Sequence, residues 1–213
     1  MRQIKRILVF LIGVFLIAVG VAVSVRADLG TAPIASLPAV LSFATPLSVG
    51  TYVMSLNLLF VGLQFLILRR KFPVFQLIQI PLTLAFGFFV DLCMYLTAWL
   101  DPTSYVEQWF WLLVSVVALA LGVYVEMQPR LTYLPANGIV FTTYTVLQNI
   151  PYGTVKTVFD AVMVALAVIA SLTLMGGLYG VREGTIFSAL TVGLVIRGIH
   201  RLHRRITAQN RGE

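Results

Sequence analysis

Apolar residues run through this chain in long blocks, separated by short clusters of charge and by prolines. Six blocks, at 7–25, 52–68, 74–98, 110–125, 154–174 and 184–199, approach the length of about 20 apolar residues that a bilayer-crossing helix needs. Two further apolar stretches, 31–47 and 134–150, are nearly as long. Each carries proline near its start, and the first holds Pro33, Pro38 and Pro46. If both crossed, the basic cluster at Arg69 would move to the other side and the charge asymmetry of the chain would break. They are therefore expected to be broken or re-entrant half-helices. Non-helical backbone at membrane depth is tolerated only against protein or a wet cavity, so these pieces should face the interior.

The blocks also repeat. Gly20 through Pro33 has the order glycine, polar or charged turn, then Leu-x-x-x-Pro, and Gly122 through Pro135 has it again. Gly50-Thr51 precedes Asn57 as Gly153-Thr154 precedes Asp160, and the separation of the two halves grows by one residue between Gly20/Gly122 and Gly50/Gly153, as a short loop insertion in a duplicated gene would produce. Each half contains an odd number of spans, so the second must be inverted relative to the first. The expected fold is an all-α integral membrane protein with six transmembrane helices and two half-helices. It forms two three-span inverted-topology repeats, 1–100 and 101–205, followed by a polar tail at 206–213.

Composition agrees: hydrophobic residues are 59% and charged residues 11% of the chain, against roughly 45–50% and about 25% in soluble domains. The net charge of +7 would suggest nucleic acid in a soluble protein. Here the basic residues sit beside helix ends and read as topology signals, so no nucleic-acid partner is expected. Arg2, Lys5, Arg6, Arg69, Arg70, Lys71, Arg130, Arg201, Arg204, Arg205 and Arg211 all fall on one side of a six-span chain. The positive-inside rule makes that side cytoplasmic, with both termini there. The other side has Arg26 and Arg182, each near an acid, and Trp99, Trp109 and Trp111 as an aromatic belt. A cleaved signal peptide is the competing reading of the start, but the apolar run is long for one. Cys93 is the only cysteine, which leaves no internal disulfide and no thiol-rich metal site.

Charges inside the bilayer carry whatever chemistry exists, because each costs at least ~2.5–3.5 kcal/mol at the centre. Asp160 lies about two turns into its span and is the deepest clear carboxylate by sequence position, with Lys156 one turn earlier on the same face. Glu126 and Arg130 have the same spacing, with Pro129 between them. Asn57 is the counterpart of Asp160 and suits an interhelical hydrogen bond. Asp91, late in its span, suits a helix cap, a partner for Arg26, or a functional carboxylate. Glycines 13, 20, 62, 87, 122 and 193 would let helices approach closely. His200 and His203 lie in the basic tail, no phosphate loop, nucleophile elbow or His-Glu-x-x-His motif is present, and no enzymatic activity, metal or cofactor is expected.

The whole chain resembles the YczE/YyaS/YitT group of bacterial integral membrane proteins. The likeness rests on the basic start, Ala27-Asp28-Leu29-Gly30-Thr31-Ala32-Pro33, Val49-Gly50-Thr51, Arg69-Arg70-Lys71-Phe72, Phe89-Val90-Asp91, Gly153-Thr154 and Gly184-Thr185. It implies a bacterial inner-membrane protein of largely unknown function, of a kind often taken for transporters. The chain departs from that pattern at Ile196-Arg197, where the third helix of the first half has Val90-Asp91.

The expected function is a small secondary transporter or exporter of a metabolite, an organic anion by mild preference, working by alternating access at the repeat interface. Half-helix N-termini offer free N–H groups and a positive dipole end. The backbone candidates there are Gly30, Thr31, Pro33, Pro135, Asn137 and Gly138; Lys156, Arg26 and Asp28 supply charge, and Asp160 or Glu126 would take a coupling proton. A homodimer would help to seal so small a site. The alternative is a non-transporting scaffold that binds a lipid or protein partner. A membrane-embedded lipid transferase is a weaker third class.

Overall fold

The computed structural model describes residues 2–129 and 131–209. They form eight α-helices and, among the described residues, no strand. The helices are α1 (Arg2–Arg26), α2 (Pro33–Ala44), α3 (Val49–Leu68), α4 (Gln79–Leu96), α5 (Tyr105–Met127), α6 (Pro135–Val146), α7 (Tyr152–Met175) and α8 (Glu183–Gln209). Local chemistry sets many of the ends. Ser48 and Ser104 accept from the Thr51 and Glu107 N–H groups and start α3 and α5. Pro33 and Pro135 occupy first helical positions, where a missing N–H costs nothing. Gly176, at φ 68°, closes α7 in the left-handed region.

Six helical segments are long and apolar enough to cross a membrane, and the chain is a multi-pass membrane protein. Large apolar side chains such as Leu66, Phe88, Ile169 and Leu190 point outward, where lipid tails replace water. The third crossing starts as tight turns at Val74–Ile78 before α4 proper. The two proline-led stretches are helices of only 12 residues, about 18 Å each against a hydrocarbon core of about 30 Å. They are half-helices, as expected. α8 continues to Gln209, into the expected polar tail, and the sequence after His203 contains no glycine or proline before that point to stop it. Residues 210–213, Arg211 among them, lie outside the described residues, as does Arg130.

An antiparallel pair, α1 and α5, forms the centre. A side chain at Gly13 would strike the backbone of Glu126, one at Gly20 would strike Leu119, and one at Gly122 would strike Ile17, so glycine is what allows this approach. Glycines 62 and 193 have open space instead and serve no such contact. Around the central pair, α4 packs on α1 and α8 packs on α5. Each half-helix crosses to the other half of the chain, α2 against α7 and α6 against α3. Two pairings have no counterpart. α2 touches α8, whereas α6 and α4 do not pack. α3 and α4 form a close seam, whereas α7 and α8 do not pack as a pair.

Candidate functional site

Because α2 and α6 stop short of crossing, their N-termini end among the long helices and leave a space between the halves. That space is a cavity of about 230 Å³. Its walls are mainly apolar, with Ile17 and Val21 of α1, Phe60 of α3, Phe86 of α4 and Leu119 of α5. Five polar side chains reach it: Asn57, Asn137, Lys156, Asp160 and Ser188.

Lys156 and Asp160 form the expected ion pair one turn apart on α7. The Asp160 side chain is 16% exposed and the Lys156 side chain 33% exposed. Opposite them on α3, buried Asn57 anchors itself by donating to the Val53 carbonyl at 2.8 Å, and its Oδ1 accepts from the Ala136 N–H at 3.2 Å. Asn57 thus caps the N-terminus of α6 from another helix. The matching element is α2, whose Ile34 lines the cavity with Asp160. Among the described residues, no side chain is bonded to the Ile34 N–H, and Asp160 is turned to Lys156 instead. The Ser188 hydroxyl is buried and has no hydrogen-bond partner.

Other expected site residues serve elsewhere. Asp91 is a helix cap: its Oδ1 accepts from the Gly50 N–H at 2.8 Å and its Oδ2 from the Ser48 hydroxyl at 2.7 Å, which joins the end of α4 to the start of α3. Arg26 donates to the Met94 carbonyl at 3.1 Å and does not line the cavity. Asp28, at φ 51° and exposed, pairs with Arg182, which also pairs with Glu183. Gly30 and Thr31 lie on the same outer edge, where the Gly184 N–H bonds to the Leu29 carbonyl at 2.8 Å and the Thr31 N–H to the Gly180 carbonyl at 3.3 Å. Of the backbone candidates, Pro33 and Asn137 line the cavity, while Pro135 and Gly138 sit beside Gln64.

Glu126, not Asp160, is the most buried carboxylate among the described residues, at 0% exposure. One oxygen accepts from the Leu134 N–H at 2.7 Å, and the other has no partner. It fixes the approach to α6 and does not line the cavity. α5 ends at Met127, and the pairing expected with Arg130 lies outside the described residues. Sequence position measured depth along a helix, whereas burial depends on what covers it, and α1 covers Glu126 at Gly13.

Three polar residues went unremarked in the sequence. Gln64 and Gln79, both fully or nearly fully buried, bond to each other at 3.1 Å beside the Pro135 carbonyl, and Ser188 faces the cavity. An uncharged amide inside an apolar block is the signal for the first two. Nothing in sequence marks Ser188.

Among known proteins, residues 4–201 match the model of a family described as a family of unknown function, DUF6198. No curated protein and no solved structure matches.

Proposed function

The chain belongs to this family of unknown function, and from the geometry of its interior we propose that it is a small secondary transporter that moves a metabolite by alternating access between its two halves. The observation that carries this reading is the unequal packing around one shared cavity. At the outer end, Ser48 and Gly50 are bound to Asp91, and Gly50 lies against Gly87. The corresponding positions of the second half are Gly153, Gly193 and Arg197. Both of those glycines have open space around them, and the cavity lies along this gap between Lys156 and Ile196. A closed seam on one side and a parted one on the other are what two related halves present when one gate is shut. In the opposite state α7 would close on α8 while α3 parts from α4.

The described basic residues Lys5, Arg6, Arg69, Arg70, Lys71, Arg197 and Arg201 belong to the end at which α1 starts. By the positive-inside rule that end is cytoplasmic in a bacterial inner membrane, which makes the parted seam the inward gate. The substrate class is a small organic anion with an apolar body. Lys156 and the uncapped start of α2 would take its negative group, and Phe60, Phe86 and Leu119 its remainder. An anion at Lys156 deprives Asp160 of its counter-ion, which is costly in an apolar cavity. A proton on Asp160 removes that conflict and would couple the two movements. The likeness to the YczE/YyaS/YitT group belongs to this same reading.

The test compares intracellular and extracellular metabolites in cells with the gene, without it, and with Asp160→Asn in its place. A small anion whose distribution follows the wild-type gene and not the variant is expected. Equal metabolite profiles in all three strains would remove transport and leave the scaffold reading.

A further inference from the structure

A second cavity lies apart from the first, at the end of the molecule where α5 finishes. It is a groove of about 530 Å³ between α5 and α8, lined by Tyr124, Met127, Gln128, Ile196, Arg197, His200 and Arg201. Arg197 and Arg201 are one helical turn apart on α8, with His200 between them, so all three share one side of the helix. Neither arginine has a carboxylate partner among the described residues, whose ion pairs are Lys156 with Asp160, and Arg182 with Asp28 and Glu183. Across the groove the Tyr124 hydroxyl is shut off from solvent and makes no hydrogen bond. Its ring is held by His200 and His203 at centroid distances of 6.3 and 5.9 Å. Apolar Met127 lines the groove, and Leu190 and Leu194 lie exposed on the turns of α8 that precede Arg197.

A charge that only records topology does not need this setting. Arg69, Arg70 and Lys71, also exposed, sit on the tight turn that follows α3. At the groove, two arginines without a carboxylate partner among the described residues line one wall, with apolar side chains on the preceding turns of α8. We propose that this groove binds an anionic phospholipid. Its phosphodiester lies between Arg197 and Arg201, since guanidinium groups match phosphate oxygens in charge and shape. Headgroup hydroxyls reach Gln128, and the acyl chains follow Leu194 and Leu190, on the turns of α8 that precede Arg197. Basic pockets between helices at the cytoplasmic surface are suited to such headgroups. A zwitterionic lipid fits less well, because its ammonium would enter beside two arginines. Ile196 lines both this groove and the central cavity, so the lipid would steady the part of α8 that borders the cavity. The assignment does not depend on the transport reading.

The experiment is native mass spectrometry of the purified full chain after exchange into detergent with phosphatidylglycerol or phosphatidylcholine. Retained phosphatidylglycerol is expected, with little phosphatidylcholine. Arg197→Gln with Arg201→Gln should weaken phosphatidylglycerol retention roughly thirtyfold, whereas Arg69→Gln with Arg70→Gln should leave it unchanged. Equal retention of both lipids, or the same preference in the Arg197/Arg201 variant, would overturn the proposal. Displacement of the lipid by millimolar inorganic phosphate would assign the groove to a free anion and overturn it equally. If the double variant fails to fold, Arg201→Gln alone decides in the same measurement: phosphatidylglycerol retention reduced roughly fivefold supports the site, and unchanged retention refutes it.

Discussion

Asn57 and Asp160 occupy matching turns of α3 and α7 and bond differently. The amide caps the half-helix opposite it, while the carboxylate pairs within its own helix. On the transport reading proposed above, Asn57 is structural and Asp160 carries the coupling. Asn57→Ala would leave the Ala136 N–H buried without an acceptor, and should cost about 1–3 kcal/mol, read as a lower melting temperature in detergent. Asp160→Asn removes half of a partly solvated pair and should change stability by no more than ~1 kcal/mol. Transport should nevertheless fall at least tenfold, an effect of about 1.4 kcal/mol or more on the rate-limiting step. If Asp160→Asn instead lowers the melting temperature strongly and Lys156→Met restores it, the pair is structural and the proposed mechanism loses its central residue.

Two seams built from corresponding helices differ chiefly in whether they are closed. A methyl group at Gly50 would meet the Gly87 carbonyl and the Asp91 carboxylate, neither of which has room to move freely, whereas one at Gly153 meets nothing within 4 Å. Gly50→Ala is therefore expected to destabilise by about 1–3 kcal/mol through overpacking, and Gly153→Ala by less than ~0.5 kcal/mol. The same Gly153→Ala protein should transport poorly, since the state in which α7 meets α8 would then be obstructed. Direct evidence comes from Gly153→Cys with Gly193→Cys. The only native cysteine, Cys93, is buried and is replaced by alanine for the purpose. A disulfide that forms under turnover and stops transport is the expected outcome. No cross-link under any condition would show that the gap is fixed, as a scaffold or an unfilled subunit interface requires.

Across the whole molecule, the expected topology has both termini cytoplasmic. A reporter active only outside the cytoplasm, fused after His203, should give no signal; a bright one would reverse the orientation and assign the parted seam to the outer side. The halves also pack in corresponding pairs around an antiparallel α1–α5 centre. Superposing 1–100 on 101–205 should accordingly need a rotation of about 180° around an axis in the membrane plane. An axis along the membrane normal would contradict the inverted-repeat reading.

The number of spans, the two short helices and the Lys156–Asp160 pair were legible in the sequence, because each follows from local rules. An apolar block must be long enough to cross, proline suits a helix start, and residues four apart share a helical face. The same rules put Gly13, Gly20 and Gly122 at a close helix crossing without naming the partner. Burial and enclosure were decided only by tertiary structure. Among the described residues Glu126 became the most covered carboxylate because α1 lies on it, Asp91 became a cap because α4 lies against the start of α3, and Ser188 came to face a cavity. The unequal seams have the same origin. Gly50 and Gly153 look alike along the chain, and only the position of the neighbouring helix distinguishes a closed contact from an open one.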